Sequence, residues 1–184
     1  MLKISNQLIK QVNNQERKAQ LELYKICFND LMSVACRYNK NKADAAILVN
    51  NAFLKILTNL NKYKPSKPFQ AWIRRITINE AIDDYRKNKK RKELFVEINN
   101  DEHPEIDTQN DFDEKIEAEE LNNMLLKLPK ATRTVFNLIA IDGYTHQEIG
   151  EQLSISKETS KWHMKEARKR LKKMLISKTE QSEV

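Results

Sequence analysis

The chain has 184 residues, with 33 Lys and Arg against 26 Asp and Glu, and a formal net charge of +7. This length accommodates one large domain or two small ones. Only 2 Gly and 4 Pro argue against a fold rich in tight β-turns, so the composition predicts an all-α protein. The N-terminus lacks an apolar signal core and no stretch approaches a membrane span. We therefore predict a cytoplasmic protein without membrane insertion.

The charge falls into three blocks along the chain. Residues 1–92 carry 20 Lys and Arg against 7 Asp and Glu, a net of +13. Residues 93–126 carry 1 against 12, a net of −11, and residues 127–184 carry 12 against 7, a net of +5. Basic blocks attract phosphate without specifying a sequence. The pattern predicts two basic domains joined by an acidic connector.

Residue types that carry catalysis or bind metals are sparse. Cys27 and Cys36 are nine residues apart without a metal-ligand pattern. They are predicted to be small buried hydrophobes in a reducing compartment, not a disulfide or a zinc site. The histidines are scattered, and two glycines cannot build a phosphate-binding loop. We expect neither an enzyme nor a bound metal or cofactor.

Apolar residues at helical spacing predict three helices at the start of the chain, over Ser5–Val12, Gln15–Tyr38 and Ala43–Leu60. The third is apolar over much of its circumference. Its narrow polar stripe consists of Asp44, Asn51, Lys55 and Thr58. Such a helix either lies deep in a bundle or presents a face to another protein.

A fourth helix is predicted from Phe69 to about Lys87, after a loop with a basic and aromatic rim. Trp72 lies at the edge of its polar stripe, which contains Arg75, Asn79, Asp83 and Arg86. Arginine and asparagine beside an indole suit phosphate contacts and base stacking on a single strand. A place for Trp72 in the core is an equally good interpretation. The basic run over residues 86–92 is dense enough to fray this helix.

The acidic stretch is too poor in apolar residues to hold itself folded, so a flexible linker is predicted over residues 93–115. Order is expected to resume near Phe112 or Ile116 and to continue through Leu128. A further helix is predicted over Thr132–Asp142, and residues 179–184 are interpreted as a polar tail.

The stretch from Gly143 to His163 predicts a helix-turn-helix. Gly143 can end the preceding helix, Thr145 can cap the next one in a capping box with Glu148, and Ser156 can cap the second helix. That second helix is expected to run through Lys172 or beyond. Two helices joined by so few residues cross steeply, which is the geometry that sets the second helix into a major groove.

The second helix has two distinct faces. The inward face is predicted to contain Ser160, Met164, Ala167, Leu171 and Met174, and the outward face Glu158, Lys161, Trp162, Lys165 and Lys169. A solvated charged face on an ordinary bundle helix would account for the lysines. An exposed Trp among them favours nucleic acid instead.

Several strings, taken in order, resemble a bacterial RNA polymerase sigma factor of the extracytoplasmic-function (ECF) group, which retains only the second and fourth conserved regions. They are Lys67-Pro-Phe-Gln-Ala-Trp-Ile-Arg-Arg-Ile76 with Asn79, Leu128-Pro129 with Arg133-Thr-Val-Phe136, Gly143 to Ile149, and Ala167-Arg168 with Leu171. The resemblance covers about residues 5–176. It implies two small helical domains, a sigma region 2 over 1–92 and a sigma region 4 with the helix-turn-helix over 116–178, joined by the acidic linker.

The resemblance also implies partners and site residues. Core RNA polymerase would dock on Asp44, Leu48, Asn51 and Lys55. The −10 promoter element would be opened and held as a single strand by Tyr63, Lys64, Lys67, Trp72, Arg75, Asn79 and Arg86. The −35 element would be read in the major groove by Lys157, Glu158, Thr159, Lys161, Trp162, Lys165 and Arg168. An anti-sigma factor is a further implied partner, and the linker would thread the basic interior of the polymerase.

The chain departs from the family pattern at two sites. The docking helix has Ala46, Ile47, Asn50 and Asn51 where acidic and glutamine positions are usual. In the helix-turn-helix, Ser154 replaces the usual turn glycine, Ser160 an inward β-branched residue, and Trp162 a small polar one. Two other functions remain possible from the residues alone: a helix-turn-helix regulator of duplex DNA that does not dock on polymerase, and a protein-interaction module that uses the apolar face of Ala43–Leu60.

Overall fold

The computed structural model describes the backbone of residues 4–94 and 116–182, and the side chains of residues 4–90 and 120–176. Within those ranges all regular structure is helical, and the all-α prediction is confirmed. None of the described helices is both long and apolar enough to cross a bilayer. The chain divides into two compact units, Met1–Asp84 and Tyr85–Val184, and the division falls inside one long helix.

The first unit contains α1 (Asn6–Asn13), α2 (Arg17–Tyr38), α3 (Lys42–Asn59), a 3₁₀ turn (Leu60–Lys62) and most of α4 (Phe69–Leu94). The α1 helix begins after Ser5, whose hydroxyl accepts a hydrogen bond from the Leu8 amide at 3.1 Å. Only three residues separate α2 from α3. Asn41 caps α3 by accepting from the Asp44 amide at 2.7 Å. Both caps satisfy amides that the first helical turn leaves unpaired.

The core of the first unit lies between α2, α3 and α4. Its fully buried members include Leu23, Cys27, Leu31, Ile56 and Ile73. The prediction of a buried thiol is confirmed for Cys27, where burial raises the pKa to about 12, so the thiol is inert at neutral pH. Cys36 is half-buried, and both cysteines are free.

The prediction that the basic run frays α4 is wrong. The helix continues to Leu94 instead of ending near Lys87. Lys and Arg are good helix formers, and cations near a helix C-terminus interact favourably with the helix dipole. Residues 93 and 94, predicted as linker, therefore belong to α4, while the rest of the predicted linker, over 95–115, lies outside the described residues.

The second unit contains α5 (Ile116–Leu126), α6 (Lys130–Ala140), α7 (His146–Leu153) and α8 (Lys157–Ser182). Leu125, Leu128, Ala167 and Leu171 form one buried cluster that joins α5 to α8. The four predicted helices are confirmed, although α8 extends to Ser182 and so includes much of the predicted polar tail.

A buried cation joins α5 to α6. The Arg133 guanidinium donates from Nη1 to the Leu126 carbonyl at 3.2 Å, where α5 ends and carbonyls lack helical partners. Burial lowers the pKa of Arg133 to about 10, so the group stays charged at neutral pH. This hydrogen bond ties α6 to the C-terminal end of α5.

Candidate nucleic-acid interface

The helix-turn-helix is built by the local contacts that its sequence predicts. Gly143 has a φ of +75°, which favours glycine, and releases the chain from α6. The Thr145 hydroxyl accepts from the Glu148 amide at 3.2 Å, and the Glu148 carboxylate accepts from the Thr145 amide at 2.8 Å. The predicted capping box is therefore confirmed, and it defines the start of α7.

The turn between α7 and α8 is tight. Ser154 adopts a φ of +53° and ends α7, and the Ile155 amide donates to the Gly150 carbonyl at 3.1 Å. Ser156 then caps α8 by accepting from the Thr159 amide at 2.9 Å. The carbonyl of Ile155 passes so close to Gly150 that an added Cβ would lie 2.9 Å from it. Position 150 thus has to be glycine for the two helices to approach as they do.

The two faces of α8 follow the predicted pattern. Ser160, Met164, Ala167 and Leu171 are buried, and Met174 is half-buried against the α5–α8 cluster. The outward residues Glu158, Lys161, Trp162, Lys165 and Lys169 are all exposed. The exposed outward face is cationic with one indole at its centre.

The other candidates for −35 contact occupy different surroundings. Lys157 and Arg168 are exposed. Thr159 is half-buried, and its hydroxyl shares a hydrogen bond with that of Ser156 at 2.9 Å. Thr159 therefore belongs to the cap of α8, while the remaining members of the predicted set lie on the surface.

Two histidines that the sequence did not point to hold α8 in place. His146 Nδ1 of α7 lies 2.9 Å from the hydroxyl of buried Ser160. His163 Nδ1 of α8 lies 3.1 Å from the hydroxyl of buried Thr132 in α6. The partners are 14 and 31 residues apart in sequence, so no local spacing could have identified them.

The candidates for −10 contact begin with an aromatic cluster that closes the loop before α4. Tyr63 packs against Phe69 and Trp72, with ring centroids 5.1 and 5.3 Å apart, and Phe69 lies 5.8 Å from Trp72. The Tyr63 hydroxyl donates to the Lys67 carbonyl at 2.7 Å. Phe69 is buried, whereas Trp72 is half-buried, so the indole is neither core nor freely exposed.

Exposed polar groups continue from this cluster along α4. Arg75 and Asn79 are exposed three and seven residues after Trp72, which puts the three side chains on one side of the helix. Lys64 and Lys67 are exposed in the loop. Arg86 is half-buried and lies on the part of α4 that belongs to the second unit. The structure thus brings together six of the seven predicted residues on the first unit.

The docking set is divided by the structure. Asp44 and Asn51 are exposed. Leu48 is only 4% exposed and packs in the core, and its role in polymerase docking stays a prediction. Burial of its apolar area stabilises the first unit.

Lys55 makes ion pairs within its own unit. Its Nζ lies 2.5 Å from the carboxylate of Glu80 and 2.8 Å from that of Asp83, both on α4. These carboxylates, first Asp83 and then Glu80, raise the pKa of Lys55. The Glu80 side chain is 5% exposed, and a buried carboxylate is costly without a cation beside it.

The apolar residues that α2 and α3 expose were not among the predicted docking residues. Ile47 and Leu54 of α3 are 60% and 62% exposed, and Leu21 of α2 is also exposed. Between these helices Tyr24 donates to Asn50 at 3.2 Å and packs edge-on against Phe53. The apolar circumference of the third predicted helix was the sequence feature that indicated such a surface.

Comparison with known proteins finds a sigma-factor region in each unit. The family model for sigma-70 region 2 matches residues 23–91, and that for sigma-70 region 4 matches residues 118–171. The ECF RNA polymerase sigma factor SigW of Bacillus subtilis is 30% identical over 176 residues, which cover 91% of this chain and 94% of SigW. SigE of Mycolicibacterium smegmatis, also an ECF sigma factor, is 26% identical over 81% of this chain and 60% of its own length.

A solved structure has a similar fold. The sigma factor RpoE of Bartonella quintana, crystallised with the anti-sigma factor NepR, matches with a TM-score of 0.51 at 18% sequence identity, over 84% of this chain and 94% of RpoE. The agreement in fold accompanies the sequence relationship across nearly the full length of SigW. The chain belongs to the ECF group of RNA polymerase sigma factors.

Proposed function

We propose that this sigma factor holds promoter DNA at two elements through residues of its two units. The exposed face of α8, with Lys161, Trp162 and Lys165, reads the −35 element as duplex in the major groove. The face of α4 with Trp72, Arg75 and Asn79 holds the −10 element as a single strand, where rings stack on bases and cations follow phosphates. The observation that carries this proposal is the capped helix-turn-helix with its cationic outward face.

The domain limits proposed for this activity coincide with the charge blocks only at the boundary after residue 92. They are residues 1–92 for the −10 and docking domain, 93–115 for the acidic linker, 116–178 for the −35 domain and 179–184 for the tail. The linker, within a block of net charge −11, is suited to the basic channels of a polymerase that otherwise carry nucleic acid.

Docking on core RNA polymerase is proposed for the exposed side of α3. Ile47 and Leu54 supply apolar area there, and Asp44 and Asn51 border it. Exposed apolar residues of this size are typical of partner surfaces. Lys55 and Leu48 contribute from within, by fixing α3 against α4 and α2.

Two further proposals concern the setting of this activity. Because RpoE of Bartonella quintana was crystallised with an anti-sigma factor, we expect a protein of that class to hold this chain inactive. Its work takes place in the cytoplasm beside core polymerase, and it acts as a non-catalytic initiation factor.

The experiment that tests the proposal is transcription with purified protein and core polymerase on a promoter library. The expected result is a set of start sites that depend on the added protein and share two upstream elements. Binding of duplex DNA without any such start site would indicate a regulator that does not use polymerase. Absence of both would favour a protein-interaction module.

A further inference from the structure

The centre of the outward face of α8 holds a large apolar side chain. Trp162 is 58% exposed, and its neighbours one turn away are Glu158 and Lys165. The inward positions of this helix are already filled by Met164, Ala167 and other buried residues, so packing does not require an indole here. Tryptophan is enriched at interfaces, where its ring is covered and its N–H finds a partner.

The indole of Trp162 packs against the ring of the next residue. The ring of His163 lies 4.9 Å from that of Trp162 at an interplanar angle of 71°, an edge-to-face contact. His163 is itself tied to buried Thr132 of α6 by the 3.1 Å contact between Nδ1 and the hydroxyl. The tryptophan is therefore backed by a ring anchored to another helix. A rigid aromatic group loses little conformational entropy when it binds.

The chemistry of the major groove restricts what such a ring can recognise. Base edges there present hydrogen-bond donors and acceptors, and the C5-methyl group of thymine is the one apolar feature. Lys161 and Lys165 can donate to guanine or to phosphate, and Glu158 can accept from cytosine. The indole has a single donor and a broad apolar surface, so it complements the methyl group and not the polar edges.

We propose that Trp162 determines part of the −35 preference by packing against the C5-methyl group of a thymine. The inference rests on the proposed entry of α8 into the major groove and adds the chemical group that the central residue reads. Trp162 stands where the family pattern has a small polar residue, and the inference explains this departure as a difference in promoter preference.

The test uses the full-length protein with core polymerase on templates that differ by one methyl group. The −35 element is first selected from a randomised library, and each thymine in it is then replaced in turn by deoxyuridine. Loss of one buried methyl group corresponds to about a fourfold fall in affinity. We expect this fall at one position or two adjacent ones for the wild-type protein, and no further fall for Trp162→Ala.

Two variants supply the controls. Trp162→Phe, which keeps an aromatic face, should retain part of the sensitivity to deoxyuridine. Lys165→Ala should weaken binding to all templates while leaving the deoxyuridine penalty unchanged. Affinity of each variant for core polymerase, and its thermal unfolding, are measured in parallel and should match the wild type.

Three results would overturn the inference. The selected −35 element could lack a thymine whose methyl group matters, Trp162→Ala could keep the full deoxyuridine penalty, or Trp162→Ala could instead lose affinity for core polymerase. In each case a −35 element has still been selected, so the two-element function stands. Failure to select any −35 element would instead contradict the proposed function, and this inference with it.

Discussion

At the scale of single residues, the structure separates the buried or paired side chains of the proposed docking helix from its exposed ones. Lys55 was predicted to meet the polymerase, but it pairs with Glu80 and Asp83 of α4 inside its own unit. Leu48 was assigned to the same surface and is buried. Both residues lie near the border between the polar stripe and the apolar face of α3. Periodicity alone cannot say which other helix packs over that border.

Lys55→Met is predicted to act through stability. The substitution leaves the buried Glu80 carboxylate without its cation, so unfolding of the first unit should become easier by about 1–3 kcal/mol. The control Leu54→Glu changes an exposed neighbour and should alter stability by less than about 0.5 kcal/mol. Urea unfolding measures both changes.

Binding to core polymerase further distinguishes Lys55, as a residue that supports the fold, from Leu54, as a proposed contact. Leu54→Glu should weaken it about tenfold, as is typical of a central apolar interface residue. The affinity of folded Lys55→Met should remain near that of the wild type. If Lys55→Met lost affinity without losing stability, the assignment of Lys55 as a supporting residue would be wrong.

At the scale of elements, the turn between α7 and α8 depends on the residues at two positions that lie four residues apart. Gly150 leaves room for the Ile155 carbonyl. Ser154 adopts a left-handed backbone conformation, which is energetically unfavourable for any residue that has a Cβ. The sequence carries glycine at one of these positions only. The structure shows that it stands where the close approach occurs.

Substitutions at these two positions should have opposite effects on stability. Gly150→Ala ordinarily favours a helix, but here the added Cβ meets the Ile155 carbonyl, so we expect a loss of about 1–3 kcal/mol. Ser154→Gly relieves the positive φ and should stabilise the turn by about 0.5–1 kcal/mol. Urea unfolding followed by circular dichroism measures both. A more stable Gly150→Ala protein would contradict the described turn.

The packing of α8 on α6 should depend on pH through His163. Burial lowers the pKa of this histidine, so the folded protein resists its protonation more than the unfolded chain does. The resulting stability is complete above the unfolded pKa of about 6.5 and is lost as pH falls toward the lower folded value. It does not change further below that value.

The measurement compares the wild-type protein with His163→Gln, whose side chain does not titrate. Between about pH 7.5 and pH 5.5 the free energy of unfolding should decrease more for the wild-type protein than for the variant. Parallel pH profiles would show that protonation of His163 does not oppose folding.

At the scale of the whole molecule, the chain divides into two compact units, and each carries one of the proposed DNA-binding faces. The aromatic cluster of Tyr63, Phe69 and Trp72 lies on the first unit, and the cationic face of α8 lies on the second. Because the two proposed faces share no residues, damage to one is expected to leave the other intact.

Variants of the two faces are therefore predicted to fail at different steps. Lys161→Ala with Lys165→Ala should lower −35 affinity, alter the preferred sequence and reduce the slope of log affinity against log salt by up to about 2. Trp72→Ala should impair strand opening more than closed-duplex binding, measured as permanganate reactivity near the start site. A control for charge is Lys10→Ala with Lys18→Ala, both exposed lysines of the first unit.

Core polymerase binding should stay near the wild-type level in all of these variants. Equal loss of polymerase binding and −35 preference in the double lysine variant would contradict the proposed division between the units. Normal strand opening by Trp72→Ala would remove that residue from the −10 contact.

The sequence by itself determined the features that depend on neighbours along the chain. Helical periodicity located eight helices, and the capping residues Thr145 and Ser156 defined where α7 and α8 begin, because caps act within three residues. The two faces of α8 followed from its period, and the order of motifs identified the family. These features are local, so they could be read before any fold was known.

Only the tertiary structure decided which side chains meet across the fold. The tertiary fold pairs Lys55 with Glu80, His146 with Ser160 and His163 with Thr132, and it packs Tyr63 on Trp72. The sequence separation of these residues carries no pattern. Long-range contacts depend on how whole helices pack, and each position on a helix has several possible neighbours. The sequence therefore located the helices of the proposed binding faces, and packing determined which of their residues are exposed.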